Sequence, residues 1–139
     1  MIQLLKYQIK LMKMFMDGDT YPYFMYLLDH DIHEEQSSII NDILIIFNHR
    51  MKSDLREYIN ENSEMINKLT SKLKHFNISE ESLFSENPPT FNELKEYTDR
   101  IMPEHVNAKY LLISLERQSM FKDLSTFLLI DAEDHCSTN

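Results

Sequence analysis

Apolar side chains recur at steps of three and four along most of this chain, the spacing that lines one face of an α-helix. Ile40, Leu44, Phe47, Met51, Leu55 and Tyr58 form the longest such row, and Met65, Leu69, Leu73 and Phe76 continue it. Between them Asn60-Glu61-Asn62-Ser63 is wholly polar. The row therefore reads as one bent helix over about 34–76 or as two helices meeting near Asn62. The break is favoured, because Asn62 and Ser63 cap well and are weak helix formers.

The flanking segments give shorter helices. Over 2–16 the lysines Lys6, Lys10 and Lys13 make one polar stripe, and Leu4, Leu5, Ile9, Leu11, Met12, Phe15 and Met16 fill most of the remaining circumference. That apolar arc is wider than one packed face needs, so part of it is expected to bury against a second copy. Asp17-Gly18-Asp19 ends the helix, with Gly18 in a left-handed cap. Thr20 and Pro22 suit the start of an aromatic second helix, in which Tyr23 and Tyr26 are the expected exposed pair. Asp31 with Glu34 resembles a capping box for the third helix. Residues 77–89 read as a loop with one turn near Glu80–Phe84. Thr90 and Glu93 form a capping box for a helix over 90–102. Pro103 opens a helix over 103–118 that buries Val106, Tyr110, Leu112 and Ile113, and a last helix covers 119–131.

The expected fold class is all-α: a single multihelical bundle of about six to seven helices with one long central helix or bent helix pair. Residues 1–131 form one helical domain and residues 132–139 a polar C-terminal tail. Composition supports this. Gly18 is the one glycine in 139 residues. A sheet protein needs more for its turns, and a phosphate-cradling loop needs several together. Nucleotide loops, nucleophile elbows and zinc knuckles are thereby excluded. With 42% hydrophobic residues the chain is globular rather than disordered.

Charge narrows the partner. The net charge is −9, which disfavours direct nucleic-acid binding. Residues 1–16 hold three lysines and no acid; setting their +3 aside from the net −9 leaves −12 on the rest. A basic apolar helix beside an acidic body suggests that the two dock, within one chain or between chains. The start of the chain resembles a signal peptide only loosely, since lysines interrupt the apolar run and no small-residue cleavage site follows. No segment is long enough to span a membrane. The single Cys136 fits a reducing, cytoplasmic setting. Only Ala108 and Ala132 are alanine, against abundant Ile, Leu, Lys, Asn and Met, which suggests AT-rich coding of bacterial or phage origin.

Candidate chemistry is sparse. His30, Asp31, His33 and Glu34 are metal-ligand types packed closely enough for zinc or manganese. They also sit at an interhelical turn, where such residues ordinarily cap and solvate, and capping is the better reading. Asp134-His135-Cys136 joins them only if the tail folds back. The paired acids Glu34-Glu35, Glu80-Glu81 and Glu133-Asp134 lie where negative charge suits a helix start or loop. Cys136 lacks a positioned base. No catalytic residue and no cofactor are expected. Met12, Met14, Met16 and Met25 suit an adaptable surface or a core. The expected partner-binding residues are Leu11, Met12, Phe15, Tyr23, Tyr26, Met51, Leu55 and Tyr58.

Two stretches resemble a known family. Tyr7-Gln8-Ile9-Lys10-Leu11, Asp19-Thr20-Tyr21-Pro22-Tyr23 and Leu27-Leu28-Asp29, followed by His33-Glu34-Glu35, are similar to the amino-terminal half of the YhaI-like family, small uncharacterised proteins of bacilli. Thr90-Phe91-x-x-Leu94 and Leu115-Glu116-Arg117-Gln118-Ser119-Met120-Phe121-x-x-Leu124 resemble its carboxy-terminal part. The likeness covers about 3–50 and 89–131, and residues 51–87 read as an insertion. Ser119 stands where the family pattern has glycine, so the last interhelical turn is expected to be wider or differently capped. The resemblance implies a small all-helical protein and carries over no activity.

The expected function is a non-catalytic protein–protein interaction or regulatory protein, homo-oligomeric, with a host or phage protein as partner. One alternative is an acidic inhibitor of a nucleic-acid-handling enzyme, such as a ribonuclease toxin or a defence factor. Another is a metal-dependent enzyme built on Asp29–Glu34. Peripheral membrane attachment through the first helix is a further reading, for which three lysines are few.

Overall fold

The computed structural model describes residues 2–15 and 20–137, without the side chains of Phe15 and of residues 135–137. Met16 and the expected cap at Gly18 lie outside the described residues. Among the described residues the chain is all-α, with nine helices and no strand. They are α1 (Ile2–Phe15), α2 (Pro22–Asp29), α3 (Glu34–Lys52), α4 (Leu55–Glu61), α5 (Ser63–His75), α6 (Glu80–Leu83), α7 (Phe91–Ile101), α8 (Ala108–Arg117) and α9 (Lys122–Ser137).

The count exceeds the expected six or seven because short pieces, α4 and α6, are separate helices. The long apolar row over 34–76 is divided twice. The expected interruption at Asn62 is present: its side-chain amide donates to the Tyr58 carbonyl at 3.0 Å. A further break falls at Ser53, which adopts φ 62°.

That conformation explains how a chain with one glycine makes its turns. Asp31, Ser53, Asn77 and Ser119 all take positive φ after α2, α3, α5 and α8. Each helix end closes with the same pair of hydrogen bonds. Ile32 N–H reaches Leu27 O, Asp54 N–H His49 O, Ile78 N–H Leu73 O and Met120 N–H Leu115 O, while the left-handed residue bonds the carbonyl three back. This is the Schellman arrangement, built here on small polar residues that tolerate the left-handed region. Asp31 therefore ends α2 instead of capping α3. The cap of α3 is His33, whose N–H donates to Gln36 Oε1 at 2.8 Å.

Two other boundaries differ from expectation. Helix α8 begins at Ala108, not Pro103, because Asn107 Oδ1 accepts from the N–H groups of Lys109 and Tyr110 at 2.8 and 3.3 Å. This places Leu111, Leu112 and Leu115 in the core and leaves Tyr110 exposed. Helix α9 runs on to Ser137, so residues 132–137 are helical where a polar tail was expected, and Ala132 is buried.

Helix α3 is the centre. Its Ile39, Ile40, Ile43, Leu44, Ile46 and Phe47 are fully buried, and it packs on α4, α5, α6, α7 and α9. Helices α8 and α9 form a hairpin that packs α2 on one side and α7 on the other. Among the described residues the core draws on α2 to α9 and takes none from α1.

Candidate interaction surface

Helix α1 is built from strong helix formers, and Lys13 in its last turn complements the helix dipole. The same lysine anchors it to the body. Lys13 Nζ donates to the Leu28 carbonyl at 3.2 Å and pairs with Asp29 at 3.3 Å, a cation at the negative end of α2. Lys6, Ile9, Lys10 and Lys13 then face Leu27, Leu28, Asp31, Ile32 and His33 across a shallow groove. On the far side Leu4, Tyr7, Leu11 and Met14 fall at i, i+3, i+7 and i+10, one uninterrupted apolar row. Ile2 is 71% and Met14 69% exposed, and Leu4, Leu5, Tyr7 and Met12 are exposed with them.

The eight expected partner-binding residues do not share one surface. Leu11 is half-buried and Met12 exposed on α1, while the Phe15 side chain lies outside the described residues. Tyr23 is a correction: it is 4% exposed and belongs to the core, and the exposed aromatic pair of α2 is Tyr21 with Phe24, stacked at 6.2 Å. Burial raises the Tyr23 phenol above its ordinary pKa, partly offset by a hydrogen bond with Ser37. Tyr26 is half-buried and structural. Its hydroxyl accepts from Asn107 N–H at 3.2 Å and donates to Asn107 O at 3.4 Å, and burial raises its pKa. Leu55 is also corrected, to a buried core residue, because the turn at Ser53 rotates α4 against α3. Met51 and Tyr58 pack partly buried on that core. Tyr58 stacks on His49 at 4.0 Å and donates to Met65 Sδ at 2.9 Å, and His49 Nδ1 lies 2.7 Å from Asp54.

The metal-ligand candidates are not gathered either. His30 Nδ1 lies 2.9 Å from the Tyr26 carbonyl, with its ring between Tyr26 and His105 at 4.0 and 5.3 Å. Asp31 makes the left-handed turn, His33 caps α3 and Glu34 sits in its first turn. Among the described residues no three His, Cys, Asp or Glu side chains come together to hold a metal ion. The side chains of His135 and Cys136 lie outside the described residues.

One polar cluster escaped the sequence reading. Arg50 on α3 is 3% exposed. Its guanidinium pairs with both oxygens of Glu93 on α7 at 2.6 and 2.9 Å, donates to Asn87 O and Leu83 O, and lies 5.1 Å from the Phe47 ring centre. Tyr97 donates to Glu93 at 2.8 Å. Burial first, then that hydrogen bond and the Glu93 charge, push the Tyr97 phenol far above its ordinary range. Its signal was a charge three residues after Phe47, on the buried face of α3. Thr90 Oγ1 does accept the Glu93 N–H at 3.1 Å, as the capping pattern predicted, while the Glu93 carboxylate turns inward to Arg50.

No protein-family model, no curated protein and no solved structure matches the chain. Among the described residues no helix is long and apolar enough to cross a membrane. What α1 offers chemically is apolar contact area edged by ammonium groups, which suits association rather than bond-making.

Proposed function

We propose that this chain is a non-catalytic protein–protein interaction protein, with α1 as its docking element. It acts in the cytoplasm, as a homo-oligomer or with another protein, and its likeness to the YhaI-like family is part of the same proposal. The observation that carries the reading is that α1 exposes Leu4, Tyr7 and Met14 while, among the described residues, the buried core includes none of its side chains. Contiguous apolar surface of this kind marks interaction sites on monomers, and an amphipathic helix laid into a groove is a recurrent recognition mode. The lysines of α1 match the acidic charge on the rest of the chain and on protein partners of similar composition.

The test compares the native chain with a Leu4→Glu/Tyr7→Glu variant, by light scattering and by affinity capture from cells that encode it. Neither residue supports the core, so both chains should show the same circular dichroism. The native chain should self-associate or retain a partner, and the variant should lose it. Equal behaviour of the two chains would remove the Leu4–Tyr7 side of α1 from the interface.

A further inference from the structure

We infer that the groove beside α1 receives helix α9 of a second copy of this chain; the inference rests on reading α1 as the docking element. The groove has an apolar lining of Ile9, Leu27 and Ile32, with Lys6 and Lys10 on its α1 side and Asp31 and His33 on the opposite wall, so the incoming acids sit toward α1. It therefore selects a helix that is apolar along its middle and acidic beside it.

Helix α9 has that outward face. Phe127 and Ile130 are large, exposed and three residues apart. Asp123 stands four residues before Phe127 and Glu133 three after Ile130, both exposed on the same side of the helix. Lys13 is held by Asp29 of its own chain, so Lys6 and Lys10 of α1 meet the exposed Asp123 and Glu133 of α9, two cations against two anions. Their lengths also match, at 14 and 16 residues.

A second molecule is required because the inner face of α9 is committed. Leu124, Leu128 and Ala132 are buried, and α9 packs on α3, α7 and α8 of its own chain. Two copies exchanging α9 faces give a two-fold arrangement with two helix–groove seams. An anionic lipid surface suits the lysines too, but a chain with a net charge of −9 is repelled by it.

The experiment is a charge swap on the full chain, read by sedimentation and light scattering at micromolar concentration. One variant is Lys6→Glu/Lys10→Glu and the other Asp123→Lys/Glu133→Lys. All four positions are exposed, so circular dichroism should stay native, and urea midpoints should match the native chain's when all are dilute enough to be monomeric. The native chain should be a dimer. Each variant alone should dimerise at least about tenfold more weakly, because like charges face each other in both seams. Mixing the two variants should restore a heterodimer of native affinity, since one seam then pairs reversed groove with reversed helix and the other is native. A native dimer indifferent to either swap overturns the inference, as does a native chain that is monomeric and floats with phosphatidylserine vesicles. A monomeric native chain that loses a foreign partner on Leu4→Glu/Tyr7→Glu also overturns it, while leaving α1 as the docking element.

Discussion

Arg50 illustrates how one residue can be held where its type is seldom found. A buried guanidinium is tolerated only when its charge is paired and its donors are used. Glu93 takes two of those donors, the carbonyls of Leu83 and Asn87 take others, and the Phe47 face lies beside the cation. The cluster thus ties α3 to α7 and to the loop after α6. Replacing one partner leaves the other charge uncompensated, which costs more than the pair itself contributes. Glu93→Leu should therefore destabilise the fold by about 3–5 kcal/mol, read from the urea midpoint at unchanged slope. Arg50→Met added to it should recover part of that loss, since the stranded charge is then gone. A cost below about 1 kcal/mol for Glu93→Leu, the value of an exposed pair, would mean that water reaches the guanidinium.

At the scale of elements, the helix ends rest on non-glycine residues in the left-handed region, and this sets up opposing energies. Ser119, at φ 60°, bears a steric cost of about 1–2 kcal/mol that glycine would not. Glycine would in turn gain about 0.4–1 kcal/mol of freedom in the unfolded chain. The first term is larger, so Ser119→Gly should stabilise the α8–α9 hairpin by about 0.5 kcal/mol, measured by urea unfolding. Loss of stability would show that the serine tolerates its backbone at little cost. These ends also mark what a sequence makes legible. The helices themselves were readable from period, and Thr90 was readable as a cap. Three of the four ends were encoded as a small polar residue followed by an apolar one, Asp31-Ile32, Asn77-Ile78 and Ser119-Met120, a signal much weaker than glycine, and Ser53-Asp54 lacks even that. Pro103 suggested a start that Asn107 provides instead. Registers failed where the apolar arc is wide. Tyr23 and Phe24 are adjacent, and only tertiary packing decides which is buried: α2 packs on α8, and the Tyr23 hydroxyl bonds Ser37 of α3. The candidate surface was legible in part, since an arc wider than a packed face pointed to Leu11 and Met12. Tyr23 and Leu55 were misassigned because one-dimensional spacing does not say which side of an arc the rest of the chain covers.

For the whole molecule, the decisive relation is between α1 and a core that, among the described residues, includes none of its side chains. Among the described residues the hydrogen bond and ion pair that hold α1 to its own body are those of Lys13, so the free energy of folding of residues 20–139 should be nearly independent of it. An exposed ion pair contributes about 0.2–1 kcal/mol, and the half-buried Leu11 adds little more. Deleting residues 1–19 should accordingly shift stability by about 1 kcal/mol or less when the protein is dilute, with a similar urea slope because little surface is transferred. Concentration then separates the two chains. Association that requires α1 stabilises only the folded state, so the midpoint of the full chain should climb with protein concentration while that of the shortened chain stays flat. A shortened chain that loses several kcal/mol even when dilute would place α1 inside the folding unit, and the exposed apolar row would then belong to the bundle rather than to a partner.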